Sequence, residues 1–276
     1  MSSALTLGRT ADLVAAIGDA RRVDLDAFVL RNPLLLFALR RAAERGAQVH
    51  VRLGDPLDAS GRKGNVDAMT ALSSAGASVT IQPGYGPQSL HDKIACVDGV
   101  SYLDDRNFTG EQTETLLIDS RPSKNRHYAE TKADALAQEA RLIARGRGND
   151  VIVSSEALGE GPVVDALVAR AKRGDSVRVM YDPQTHDPGR KLLEKLRQAG
   201  VMLRSSTQRH KIAVAGSTAW IGSANASPGN ASTREWGAVV PRSLAEPLRD
   251  MLEYCWATAK TAPDAAHSPV HRDSGT

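Results

Sequence analysis

His91, Lys93, Asp98 and Asn107 fall within one short run, SLHDKIACVDGVSYLDDRN, which offers an imidazole, an ammonium, a carboxylate and an amide. That set suits attack on a phosphate ester. An imidazole titrates near neutrality and can act as nucleophile or proton carrier, while ammonium and amide groups donate to oxygens on which charge accumulates. His91 and Lys93 are two positions apart, so a strand points both to one face and turns Asp92 to the other. The spacing alone also fits a half-exposed strand with surface charges, because polar residues alternate along such strands.

The same frame recurs downstream. In SSTQRHKIAVAGSTAWIGSAN, residues 205–225, Lys211 matches Lys93, Ile212-Ala213 matches Ile94-Ala95 and Asn225 matches Asn107, with fourteen positions from Lys to Asn in both copies and no gap. Upstream, VDLDAFVL followed by LFALRRAAERGAQVHVRLGDP parallels NDVIVSSEALG followed by VVDALVARAKRGDSVRVMYDP, each reading as strand, helix, strand. VDAMTALSSAGASVTIQP and LLEKLRQAGVMLRSST then each give a helical run that stops at a Gly before a β-branched strand. The chain reads as two copies of one α/β unit.

Strands are expected near 23–30, 48–53, 78–82, 92–97, 100–103 and 114–119 in a first unit, residues 1–120. Residues 121–148 read as a linker and a long helix. A second unit, 149–260, carries strands near 150–155, 176–181, 201–205, 211–215, 218–221 and 235–240 and a final helix at 243–259. Residues 261–276, TAPDAAHSPVHRDSGT, read as a disordered tail in which His267 and His271 are solvated.

With these residues in hand, the chain resembles the phospholipase D superfamily, whose signature is His-x-Lys-x4-Asp followed by Gly-Ser-x-Asn. His91, Lys93 and Asp98 match the first part, and Gly222, Ser223 and Asn225 match the second part in the other half. The resemblance extends over roughly residues 8–258. It implies two phospholipase D-like repeats, with mixed β-sheets flanked by helices and a pseudo-twofold axis that brings both motifs to one cleft. It further implies a phosphodiesterase or phosphatidyl-type transferase. In that chemistry one His attacks phosphorus to form a phosphohistidine, the other protonates the leaving oxygen, and no metal or other cofactor is required.

Carried over residue by residue, the resemblance makes His91 the nucleophile and gives Lys93, Lys211, Asn107 and Asn225 the phosphate oxygens, with the Ser223 hydroxyl beside them. Glu114 and Glu235 occupy similar places after the two motifs, where the family uses an acid to orient the imidazole; Glu235 would orient His91 from across the axis. Asp98 is assigned a structural role, as a turn carboxylate accepting backbone N–H groups.

Departures from the pattern are as informative as the matches. Arg209 stands at the place of the second His and Gly216 at that of the second Asp, while Asp104-Asp105 replace Gly-Ser in the first half. An arginine stays protonated and donates no proton, but its planar fork binds phosphate oxygens. The leaving group must then depart unprotonated or take its proton from His210, water, Asp104 or Asp105. Strand alternation turns His210 away from the Lys211 face unless a bulge intervenes.

Composition agrees with a folded domain of this type: 276 residues, 41% hydrophobic and 24% charged. Aromatic residues make up only 4%, which argues against a base-stacking platform, and a net charge of +3 is too small to identify a nucleic-acid partner. Cys96 and Cys255 are far apart in sequence, one in an apolar strand and one in an apparent helix, which argues against a disulfide, and Cys96 reads as a small buried hydrophobe. Charges interrupt the first thirty residues, and no apolar stretch approaches the ~18 residues that span a bilayer. A soluble cytoplasmic protein without a transmembrane segment is expected, and a monomer suffices because one chain carries both repeats.

The phosphodiester substrate is left open among nucleic acid, phospholipid and a small diester. A weakened phosphate-binding protein, holding nucleic acid or a lipid headgroup, is the alternative to an enzyme, and a metal at Asp104 and Asp105 is a third reading. His127 and His186 read as surface loop residues.

Overall fold

The fold described here is a computed structural model covering residues 5–83, 89–108, 115–121, 128–185 and 187–261. Ten elements build a first repeat: β1 (Leu5–Arg9), α1 (Thr10–Gly18), β2 (Arg22–Ala27), α2 (Pro33–Glu44), β3 (Gln48–Leu53), α3 (Ala59–Ser74), β4 (Ser78–Ile81), β5 (Lys93–Val97), β6 (Val100–Asp104) and β7 (Thr115–Asp119). The same order returns as β8 (Ala129–Thr131), α4 (Lys132–Arg145), β9 (Asp150–Ser155), α5 (Pro162–Lys172), β10 (Ser176–Tyr181), α6 (Arg190–Gln198), β11 (Met202–Ser205), β12 (Ile212–Ala215), β13 (Thr218–Gly222) and β14 (Arg234–Val240). A long helix, α7 (Arg242–Thr258), and a short strand, β15 (Lys260–Thr261), follow.

Sheet topology repeats along with element order. The first sheet runs β1-β7-β6-β5-β2-β3-β4 and the second β8-β14-β13-β12-β9-β10-β11-β15, so strands pair with the same neighbours in both halves. Register agrees to the residue: Asp26 lies opposite Ile94 as Ser154 lies opposite Ile212. In each repeat β2–β3–β4 or β9–β10–β11 are parallel and joined through helices, and the motif strands add to them antiparallel.

The described part of 121–148 holds β8 and the long helix α4: β8 pairs antiparallel with β14 as β1 pairs with β7, and α4 follows β8 as α1 follows β1. Ala135, Leu136, Leu142 and Ile143 of α4 belong to the core of the second repeat. The Thr131 hydroxyl caps α4 by accepting from Asp134 N at 3.2 Å. Thr261 pairs with Arg204, and the remainder of the expected tail, with His267 and His271, lies outside the described residues.

Hydrophobic patterning explains why the two sheets are covered differently. In β2 and β3 apolar and polar residues alternate, so Val23, Leu25, Val49 and Val51 pack under the helices. Their other face holds Asp24, Asp26, His50 and Arg52, with Arg52 bonded to Asp26 at 2.6 Å. By contrast β12 is wholly apolar and β9 is buried without a break from Val151 to Ser155, so both faces of these strands are covered. Helices α4, α5 and α6 cover one face. The other packs on Leu244, Leu248 and Leu252 of α7 and on Leu103 and Leu117 of the first sheet. This central layer joins the two repeats. Cys96 is half-buried rather than buried, Cys255 is buried, and both are free. No described helix is long and apolar enough to cross a membrane.

Candidate functional site

The site is assembled where the two repeats are stitched together. Just before β5, His91 N donates to Arg234 O (3.2 Å) and Arg234 N donates to Ser89 O (3.0 Å), while Leu90 bridges to Arg234. The first motif is thereby laid against the start of β14, and alternation along β14 turns Glu235 inward beside the imidazole.

His91 Nδ1 lies 2.7 Å from Glu235 Oε1. The second carboxylate oxygen accepts from Ser223 Oγ at 2.6 Å, and Ser223 Oγ accepts in turn from Trp236 N at 3.0 Å. Burial by itself would raise the Glu235 carboxyl, but His91 and Lys93 outweigh it and hold the group down at about 2. His91 is lowered as well, because burial disfavours its cation more than Glu235 favours it. The neutral ring therefore presents Nδ1–H to an acceptor-only carboxylate and leaves the Nε2 lone pair for attack.

Lys93 is fully buried beside this pair. Its Nζ is 3.1 Å from His91 Nδ1 and donates to His91 O at 2.5 Å. Burial, with the nearby Lys211 charge, lowers Lys93 to about 8. The Phe28 ring closes the wall, 4.7 Å from the His91 ring and 5.9 Å from Lys93 Nζ. Asp92 points away, as alternation predicts, and meets Arg234 at 3.0 Å.

The second motif keeps the backbone plan with different chemistry. Lys211 Nζ donates to Arg209 O (3.4 Å), as Lys93 does to His91 O, and meets Glu156 Oε2 at 3.1 Å. Arg209 occupies the left-handed region at φ 55° and reaches outward, Nε to Asp182 Oδ2 at 2.8 Å, with 47% of its side chain exposed. It is 4.0 Å from Glu156 Oε1. The side chains of Asn107 and Asn225 both bury their Oδ1 atoms after the motif hairpins. Phe108 O accepts from Arg31 N (2.7 Å) and Ala226 O from Gly159 N (2.9 Å), so each hairpin is fastened to the neighbouring loop in the same way.

His210, Asp104 and Asp105, expected at the substrate, are instead buried behind the motif. His210 Nδ1 faces Asp105 Oδ2 at 3.0 Å, and that oxygen also accepts from Lys211 N at 3.1 Å. Although burial opposes it, Asp105 raises His210 to about 9. No bulge returns His210 to the Lys211 face; the ring is taken up in an ion pair that pins the first repeat to the second. Burial and the adjacent Asp105 raise Asp104 to about 6. Asp104 Oδ1 accepts from Arg106 N at 3.0 Å, and its carbonyl accepts from Trp236 Nε1 at 3.0 Å. Among the described residues no group of three or more His, Cys, Asp or Glu could hold a metal ion.

Asp98 sits in the β5–β6 turn at φ 46° and accepts from Arg22 N at 2.8 Å and Arg21 N at 3.1 Å. Its counterpart Gly216, at φ 59°, has no room for a side chain: a Cβ there would stand 1.5 Å from Arg147 O. Steric exclusion explains the missing second Asp. Glu114, His127 and His186 lie outside the described residues.

Two residues of the cleft were not expected from the sequence. Glu156 follows β9 where Phe28 follows β2; the repeat alignment carries that signal once register is known. Burial would raise Glu156, yet Lys211 and Arg209 hold it low, so it is ionised beside them. Lys132 opens α4, its N–H bonded to Thr233 O at 2.9 Å. Burial lowers its ammonium, with the Glu235 carboxylate opposing and Lys211 adding to the shift, which places it within the field of the site.

Residues 142–256 match the family model described as cardiolipin synthase, PLD-like domain. No curated protein sequence matches the chain. Polyphosphate kinase from Porphyromonas gingivalis aligns with a TM-score of 0.62 at 14% identity over 96% of this chain and 51% of that one. This chain thus spans about half the length of that structure. A mutant of yeast tyrosyl-DNA phosphodiesterase 1 aligns with a TM-score of 0.56 at 10% identity over 87% of this chain and 90% of that one. At such identities the likeness is one of fold: mixed α/β, with two sheets flanked by helices in two lobes.

Proposed function

We propose that this chain, a member of the phospholipase D superfamily, cleaves or transfers phosphodiesters through a covalent phosphohistidine at His91. The observation that carries the reading is the 2.7 Å contact of His91 Nδ1 with the buried Glu235 carboxylate of the other repeat. A neutral imidazole held at Nδ1 by Glu235, with Nε2 3.5 Å from Lys93 Nζ, is placed beside a phosphate-binding cation for attack on phosphorus. Lys93, Lys211, Asn107 and Asn225 would receive the non-bridging oxygens, and Ser223 would hold Glu235 in place. Arg209 and Lys132 supply cationic charge at the rim. Nucleic acid, a phospholipid and a small diester all share the group this site would recognise.

Wild type and His91→Ala are to be incubated with bis(p-nitrophenyl) phosphate, single-stranded DNA and a phospholipid panel, with and without EDTA. The expected result is turnover that survives EDTA, disappears in His91→Ala and leaves acid-labile phosphate on His91. Turnover unchanged in His91→Ala would overturn the proposal. Arg209 in place of a second imidazole favours one other reading, a phosphate-binding protein without turnover, and binding of these compounds by both proteins without product would select it.

A further inference from the structure

Among the described residues the second half of the cleft lacks an imidazole, and we infer that Glu156 acts in its place as the general base that activates water to release the phosphohistidine. This inference rests on the reading of His91 as nucleophile. Its geometry comes from the pseudo-twofold. Phe28 and Glu156 occupy equivalent positions, one residue beyond strands whose registers against the motif strands coincide. In the first repeat the Phe28 side chain lies against the His91 ring, 4.7 Å between centroids. The equivalent neighbour of Glu156 is Arg209, which leaves the cleft on a left-handed backbone to bind Asp182 at 2.8 Å. The carboxylate of Glu156 thus stands beside the place the second imidazole would fill, 3.1 Å from Lys211 Nζ.

Its chemistry suits the second step rather than the first. Lys211 and Arg209 keep Glu156 ionised, so it accepts a proton and has none to give at neutral pH. It also interacts electrostatically with Lys93, across the axis, so its charge is felt at the first motif. In step one His91 Nε2 forms a bond to phosphorus and the P–O bond to the leaving group breaks; an acidic alcohol or phenol departs as its anion. The N-phosphorylated ring keeps Nδ1–H and is imidazolium-like, balanced by Glu235. In step two the oxygen of water bonds to phosphorus, one water proton passes to the Glu156 carboxylate, and the P–N bond breaks. His91 is returned neutral, and the Glu156 proton passes to solvent.

The test is pre-steady-state kinetics of wild type, Glu156→Gln and His91→Ala with bis(p-nitrophenyl) phosphate, whose leaving group needs no proton. Glu156→Gln keeps the shape and a bond to Lys211 but no basicity. Expected is a burst of about one equivalent of p-nitrophenolate that persists in Glu156→Gln, followed by a steady-state rate lower by on the order of 10²-fold. The p-nitrophenyl phosphoryl group should accumulate on His91 in that variant. The burst itself reports a folded site, so a slow steady state after a full burst is not misfolding. A full burst with the wild-type steady-state rate in Glu156→Gln would overturn the role of Glu156 and leave His91 as nucleophile. Loss of the burst in Glu156→Gln while wild type retains it would also overturn it, because the first step would then need Glu156. Absence of any His91-dependent burst in wild type would overturn both readings together.

Discussion

Glu235 meets His91 at 2.7 Å although 144 positions separate them, and the contact crosses from the second repeat to the first. Duplication alone does not create it. It exists because β14 begins by hydrogen bonding to the residues just ahead of β5, so each half is incomplete without the other.

Glu235→Gln should therefore damage catalysis more than binding. An amide can donate to Nδ1 and select the wrong tautomer, so kcat is expected to fall on the order of 10²-fold with KM little changed. Steady-state rates with bis(p-nitrophenyl) phosphate check this. Glu235 also contributes to acid stability. Its folded value, about 2, lies below the ordinary 4.5, so its stabilisation is present above pH 4.5 and is lost as pH falls toward 2. Urea unfolding across that window should be less pH-dependent in the variant.

Lys93 predicts an alkaline limb. Only the ammonium holds phosphate, and burial brings the group to about 8, so orthophosphate affinity of the free protein should decline as pH rises through that value. Lys93→Arg, always charged, should remove the decline while disturbing the fit of the buried site. Isothermal titration between neutral and alkaline pH reads both effects.

His210 and Asp105 predict a stability change rather than a catalytic one. The folded value of His210, about 9, lies above the ordinary 6.5, so its contribution is full below pH 6.5 and is lost as pH rises through 9. His210→Ala removes the nearest cation of a buried carboxylate, leaving it Arg106 Nε at 3.7 Å, and should destabilise by about 3 kcal/mol in urea unfolding near pH 6. His210→Ala/Asp105→Ala should recover part of that loss.

Gly216→Asp, which puts a carboxylate at the place equivalent to Asp98, should not restore anything. The left-handed backbone disfavours a side chain by about 1–2 kcal/mol, and a Cβ 1.5 Å from Arg147 O forces the turn to move as well. Gly216→Ala should destabilise similarly, and a thermal melt of both variants tests whether the side chain or its charge is at fault.

Much of the architecture is legible in the residues alone. Alternation in VDLDAFVL and HVRLGD, glycine stops after helical runs and the ungapped Lys-to-Asn frame suffice to locate most strands and the duplication, because these signals are local. The repeat boundary was harder to read, since β8 has only three residues and its pairing with β14 carries no periodic pattern.

The sequence by itself determined that His91 and Lys93 share a face, that a second lysine and asparagine recur in the same frame and that the second copy carries Arg209 and Gly216 where the first has His91 and Asp98. Tertiary structure alone decided which groups surround them. Glu235 and Ser223 reach His91, Glu156 takes the side of Lys211, and His210 turns inward to Asp105. The physical reason is that strand periodicity fixes only the face a side chain takes. Its partners depend on sheet pairing and on the packing of one repeat against the other, which unite residues too far apart in the chain for any local pattern to connect.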